Sequence, residues 1–113
     1  MNRFCLPAPW LNNRIRVFIA GAGGTGSQVI DQIASLDTVL RALGHPGFAV
    51  TVFDPDTVSR WNLGRQRFTT PDVGINKAVV LVHRINLFYG VEYAAVPQRL
   101  SAQDAGRCDL LIT

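Results

Sequence analysis

Gly21-Ala22-Gly23-Gly24-Thr25-Gly26-Ser27 constrains this chain more than any other stretch. The apolar run Ile15-Arg16-Val17-Phe18-Ile19-Ala20 precedes it, and an amphipathic segment reaching Leu43 follows it. A strand, a glycine turn and a helix in that order form a phosphate-binding device. Glycine lets the backbone turn tightly and meet a ligand with no Cβ in the way. The helix that follows points free N–H groups and the positive end of its dipole at the same spot. Gly21, Gly23 and Gly26 satisfy the GxGxxG pattern, with Gly24 inside it, and together they predict a nucleotide site. A tight turn with no ligand is the competing reading.

The flanking segments assemble around that turn. Ile15 to Ala20 is almost continuously apolar, as expected of a parallel strand buried on both faces. A helix is predicted from about Thr25 to Leu43. Val29, Ile33, Leu36, Leu40 and Leu43 recur at helical spacing and predict its buried stripe; Asp31, Gln32, Ser35, Asp37, Thr38 and Arg41 fill the other face. Gly44, then His45-Pro46, ends the helix: a residue at ease in left-handed backbone, then one that cannot continue a helix. Phe48 to Phe53 predicts a second strand that stops at Asp54 and completes a right-handed βαβ unit.

A polar loop runs from Pro55 to Thr70. Thr70-Pro71-Asp72 resembles a helix start, with Thr70 as cap, interrupted by Gly74. A second helix is predicted from about Asn76 to Phe88, with Ala78, Leu81, Val82, Ile85 and Phe88 as its stripe and Gly90 as its stop. Val91 to Val96 predicts a third strand, Ser101 to Arg107 a polar connector, and Asp109 to Thr113 the start of a fourth. Residues 1–14 are expected to form an extended arm, because Pro7 and Pro9 favour extended backbone. Trp10 and Leu11 are placed to cover an edge of the domain.

Composition excludes several function classes. With 113 residues, 48% hydrophobic and 17% charged, the chain suits one packed domain or part of one. Leu110-Leu111-Ile112 looks like a buried parallel strand with no crossover helix after it, so residues 15–113 are expected to be the N-terminal part of a longer domain. The net charge is +3, but the arginines are scattered, so no direct nucleic-acid binding is predicted. Cys5 and Cys108 form no CxxC or Cys/His cluster, and no metal site is predicted within these residues. The start lacks the apolar core of a signal peptide, and no run approaches the ~20 apolar residues of a membrane span. A soluble cytoplasmic protein is the expectation.

The chemistry lies beyond the glycine turn. Asp54 stands 28 residues past Gly26, at the tip of the second strand, where a carboxylate meets ribose hydroxyls. NAD and ATP sites of this architecture look alike up to that residue. The loop that follows separates them: Asp54-Pro55-Asp56-Thr57-Val58-Ser59-Arg60-Trp61-Asn62-Leu63-Gly64-Arg65-Gln66, with Gly74-Ile75-Asn76-Lys77 beyond. Arg65 and Lys77 are suited to neutralise a polyphosphate that the turn alone cannot. Lys77 is the only lysine and opens its helix, where the macrodipole disfavours a cation by roughly 0.3–1 kcal/mol. A ligand phosphate nearby reverses that cost.

Together these residues resemble the ThiF/MoeB superfamily, the ATP-dependent activators of ubiquitin-like proteins. The resemblance rests on Gly-Ala-Gly-Gly-Thr-Gly-Ser, on Asp-x-Asp-x-Val-x-x-x-Asn-Leu-x-Arg-Gln from Asp54 to Gln66, and on Val-Gly-x-x-Lys from Val73 to Lys77. It covers about residues 15–113. The whole stretch looks most like the ThiF-like proteins of the PRTRC systems, gene clusters of bacterial plasmids and integrative elements. The resemblance implies adenylation of the C-terminal carboxylate of a small ubiquitin-like protein, with ATP and Mg2+, by a homodimer. In that scheme Gly21, Gly23, Gly24 and Gly26 hold the phosphates and Asp54 binds the ribose. Asn62, Arg65 and Lys77 contact the phosphates, Gln66 braces the loop, and Asp56 fixes it through backbone N–H groups. The acyl carboxylate is already the nucleophile, so positioning and electrostatics dominate.

The expected fold is α/β: a Rossmann-like, doubly wound parallel sheet in strand order 3-2-1-4, with helices on both faces. Some features depart from the family. Trp61 replaces a small residue and Gly64 a polar one. The family's N-terminal arginine has only Arg3 as a counterpart, and its Mg-binding Asp is expected beyond Thr113. Cys108 reads as a core cysteine. Two other functions stay open: a nucleotide-binding half-domain of an NAD-dependent oxidoreductase, and a non-catalytic adaptor that retains the fold.

Overall fold

The computed structural model describes residues 8–63 and 68–113. Its framework is a four-stranded parallel sheet: β1 (Ile15–Ala20), β2 (Phe48–Phe53), β3 (Ala94–Val96) and β4 (Leu110–Ile112), in the order β3-β2-β1-β4. β1 pairs with β2 from Ile15↔Phe48 to Ala20↔Phe53 and with β4 from Val17↔Leu110 to Ile19↔Ile112. β3 is shorter than the predicted 91–96 and pairs with β2 only from Thr51↔Ala94 onward. The expected strand order is the observed one. The direction of winding reverses between β1 and β4, where α/β sheets place their ligands.

Two helices make the main layer: α2 (Gly24–Ala42) and α3 (Lys77–Tyr89). They pack on each other and over Ile15, Val17, Ile19, Phe48, Val50 and Val52. Burial on both faces of β1, expected from its apolar run, is found on one face only. The side chains that point the other way, Arg16, Phe18 and Ala20, are exposed or half-buried, although Phe18 and the buried Phe53 pair at 5.1 Å.

The buried stripe of α2 is the expected one only in part. Ile33 and Leu40 are half-buried against the core and Val29 is half-buried, but Leu36 and Leu43 are 48% and 79% exposed, and the fully buried positions are Ser27, Ile30, Ala34 and Asp37. Asp37, expected on the polar face, is 0% exposed. Its Oδ1 accepts from Arg41 Nε at 2.8 Å and from the Phe48 N–H at 3.0 Å, and its Oδ2 from the Tyr93 hydroxyl at 2.6 Å. Three donors replace the water the carboxylate gives up, which is the condition for burying a charge. Burial, then the bond to Asp37, raises the Tyr93 pKa, so the hydroxyl keeps its donor proton. This clamp ties α2, β2 and the start of β3 together at the amino end of the sheet.

On α3, Ala78, Leu81, Val82 and Ile85 are buried as expected, but Phe88 is 82% exposed. Val80 turns instead into a second, small core with Val58 and Phe68. Both helices end on glycine in left-handed backbone, Gly44 (φ 89°) and Gly90 (φ 68°). Residues Ala8–Asn12 form a short helix, α1, where the prolines led us to expect extended backbone. Pro9 sits in its first turn, where the missing N–H costs nothing. The Trp10 carbonyl accepts from His45 Nε2 at 2.6 Å, and Trp10 packs against the core, whereas Leu11 is exposed. The connector before β4 contains another short helix, α4 (Ala102–Ala105).

Candidate functional site

The site is built where the strands end. β1 passes into Gly21, which adopts φ 102°, and its N–H donates to the Phe53 carbonyl at 2.7 Å. Gly26 then brings α2 down onto the turn: a Cβ there would overlap the Gly21 carbonyl oxygen. Gly24 meets nothing within 4 Å, so its missing side chain leaves open space. The N-cap of α2 is Gly23, and no side chain caps the helix. The N–H groups of the first turn and the positive end of the dipole are therefore left for an external acceptor. They border a cleft of about 280 Å³ lined by the glycine turn, Thr25, Val29 and the end of β4 at Ile112 and Thr113.

Asp54 is buried beside this cradle. Its Oδ2 accepts the Ala22 N–H at 2.7 Å and its Oδ1 the Asp56 N–H at 2.8 Å. The carboxylate thus holds the glycine turn and its own loop in register, and each oxygen keeps a lone-pair direction for a hydroxyl donor. Bracing through backbone N–H groups was expected of Asp56. Asp54 does it instead; the Asp56 side chain is exposed and makes no hydrogen bond among the described residues.

The loop is pinned by short capped turns. Asn62 Oδ1 accepts from the Ser59 N–H at 2.9 Å and the Ser59 hydroxyl at 3.1 Å, closing a 3₁₀ turn over Arg60–Asn62. Only the Asn62 amide nitrogen then remains for a phosphate. Trp61 rides on that turn, 82% exposed. A second 3₁₀ turn spans Thr70–Asp72, and its cap is Thr69, one residue earlier than the predicted Thr70. Asp72 Oδ2 accepts the Thr69 N–H at 2.6 Å and pairs with Arg84 of α3.

Burial pushes the Asp72 carboxyl up, but the Thr69 and Arg84 bonds outweigh it and hold the pKa below the ordinary 3.8. A carboxylate with a depressed folded pKa adds stability above its unfolded value and loses it as pH falls through the folded one. Wild type should therefore lose this contribution below about pH 4, near the ordinary carboxylate value. Asp72→Asn should lack it at neutral pH, which urea titrations of both proteins across pH 3–7 would measure.

Lys77 opens α3 as predicted. Its N–H donates to the Asp56 carbonyl at 2.9 Å, and its ammonium has no ion-pair partner among the described residues. Asn76 caps the helix, accepting from the Val79 N–H at 3.1 Å. Its amide also donates to the Asp54 carbonyl at 2.7 Å and the Asp56 carbonyl at 3.1 Å. The structure thus brings the glycine turn, Asp54, Asp56 and Lys77 to one end of the sheet. Arg65 and Gln66, with Gly64 and Arg3, lie outside the described residues. Among the described residues, no cluster of three His, Cys, Asp or Glu side chains could hold a metal ion.

The cradle offers the donors that a phosphate chain needs, and comparison with known proteins shows the family. The model of the ThiF family matches residues 11–112. The chain belongs to the ThiF family. No curated protein matches this ThiF-family chain. Among solved structures it resembles E. coli MccB with ATP, with 24% identity and a TM-score of 0.62 over 88% of this chain and 28% of that one. E. coli MccB with MccA matches at 26% identity and TM-score 0.60, over 89% of this chain and 29% of that one. E. coli tRNA N6-threonylcarbamoyladenosine dehydratase, TcdA, matches at 23% and 0.64, over 82% and 36%. The ThiF-family chain thus spans about a third or less of these neighbours' length.

Sequence reasoning gave Asn76, Asp72 and Arg84 no role in the site. Asn76 was legible: an Asn directly before an apolar helical run is a capping signal. The Asp72–Arg84 pair spans 12 positions between a loop and a helix, and spacing alone does not reveal it.

Proposed function

We propose that this chain forms the ATP-binding part of an adenylating enzyme. The observation that carries the reading is the uncapped N-terminus of α2 behind a glycine turn, braced by the same Asp54 whose loop receives the first turn of Lys77's helix. The turn and helix end supply donors without charge, and Lys77 supplies charge with no ion-pair partner among the described residues. A triphosphate uses both. MccB, one of the structural neighbours, has been crystallised with ATP, and with AMPCPP and MccA together.

In this reading the backbone from Gly21 to Gly26 holds the phosphates, and Asp54 accepts from the ribose. Lys77, the Asn62 amide and Arg65 offset charge developing at the α-phosphate, while Gln66 supports the loop and Asp56 contributes only its backbone N–H and carbonyl. The protein substrate's carboxylate oxygen bonds to the α-phosphorus as the bond to the β-phosphate oxygen breaks, and pyrophosphate leaves. Preorganised donors in a sheltered cleft stabilise that charge without reorganising. The substrate is a small ubiquitin-like protein with a free C-terminal carboxylate, and the enzyme is a cytoplasmic homodimer with Mg2+. Among the described residues no helix is long and apolar enough to cross a membrane.

The test is isotope exchange between pyrophosphate and ATP by the complete gene product with a ubiquitin-fold partner. Exchange should require the partner's free carboxylate and stop when it is amidated. Absence of exchange with tight NAD binding would favour the oxidoreductase reading. ATP binding without exchange would favour the adaptor.

A further inference from the structure

The geometry points to Asn76 as the residue that positions Lys77 against the nucleotide cradle. The inference rests on the proposed ATP reading. Asn76 uses all of its amide. Its oxygen caps α3 at the Val79 N–H, and its nitrogen donates to the carbonyls of Asp54 (2.7 Å) and Asp56 (3.1 Å). The Asp56 carbonyl also accepts the Lys77 N–H at 2.9 Å, and the Asp56 N–H returns to Asp54 Oδ1 at 2.8 Å. Asp54 Oδ2 then reaches the Ala22 N–H of the glycine turn. A continuous hydrogen-bonded path thus runs from the turn through Asp54 and Asp56 to Lys77, and one side chain closes it.

A helix cap alone needs only an acceptor, which Ser, Thr or Asp would supply. The amide nitrogen is surplus to capping, yet it makes two bonds to the strand-end loop. Those bonds fix where α3 begins relative to β2. Lys77 is the first residue of that helix, so its Cα is set by the clamp and only its side-chain rotamers stay free. Bound phosphate then meets a lysine whose backbone is already fixed, so only its side-chain rotamers remain to be ordered on binding. Asn76 does not need to touch the nucleotide for this; it acts through Lys77.

Asn76→Ser separates the two roles, since it keeps an acceptor for Val79 and drops both donors. Native-state amide exchange reads the clamp without ligand. In Asn76→Ser the Asp56 and Lys77 N–H groups should exchange at least tenfold faster, while Val79 stays as protected as in wild type. Unchanged exchange at Asp56 and Lys77 overturns the clamp. Titration with ATP and magnesium reads the consequence. Asn76→Ser should weaken binding at least fivefold, and that loss should disappear in a Lys77→Met background. An equal loss with and without Lys77 overturns action through the lysine. A wild-type chain that does not bind ATP contradicts the proposed nucleotide, and amide exchange then decides the clamp alone. If Asn76→Ser fails to fold, Asn76→Thr, which also keeps an acceptor and lacks the amide donors, carries the same comparisons.

Discussion

Gly26→Ala should collapse the glycine turn against α2, whereas Gly24→Ala should leave the fold intact. Both glycines belong to one motif, but they do different work. An added Cβ at Gly26 overlaps the Gly21 carbonyl oxygen. That oxygen is backbone in a turn already tied at both ends, by Gly21 to the Phe53 carbonyl and by Ala22 to Asp54. Neither partner yields by rotating a side chain, so α2 must lift off β1. The cost should be about 3 kcal/mol, the upper end of overpacking. At Gly24 a Cβ meets open space, and alanine is the better helix former, so stability should stay within ~1 kcal/mol of wild type. Thermal unfolding of both variants measures the contrast. Equal losses would mean that α2 does not rest on the turn through Gly26.

Asp37→Ala should be the most damaging single change away from the site. It leaves the Tyr93 hydroxyl and the Phe48 N–H without an acceptor in a buried pocket, and Arg41 without its carboxylate. Removing one partner from such a network costs roughly 3–5 kcal/mol. At ~4 °C per kcal/mol for a domain of this size, the melting temperature should fall by on the order of 10–20 °C. Asp37→Asn should cost less. Its oxygen still accepts from Arg41 and Phe48, and its amide can donate to the Tyr93 oxygen. An exposed role for Asp37 would make both substitutions nearly neutral in the same melting experiment.

Asp37 also shows why part of the helix face was misjudged while the strand order was not. β1 and β2 are short apolar runs bounded by turn residues, and their pairing follows from one βαβ unit. On α2, the fully buried positions are Ser27, Ala34 and Asp37 beside Ile30, with Ile33 and Leu40 half-buried at their flank. Close packing of the helix on the sheet favours small residues, and a fully bonded carboxylate counts as polar in any hydropathy pattern. Leu36 and Leu43 score better and lie outside. The site divides in the same way. Gly21 to Gly26, Asp54 and Lys77 were legible because each carries a backbone or charge requirement at a fixed place. The clamps of Asn76 and of Asp72 with Arg84 join distant segments, and only the folded chain brings their partners together.

ATP binding, as proposed, requires the glycine cradle and Lys77 together. Calorimetric titration with ATP and magnesium, run beside NAD, tests it most directly on wild type and Lys77→Met. Loss of a charge-assisted bond to phosphate costs about 1.5–3 kcal/mol, so Lys77→Met should weaken ATP binding by roughly ten- to 150-fold and leave NAD binding unaffected. NAD bound more tightly than ATP, or ATP bound equally well by both proteins, would contradict it.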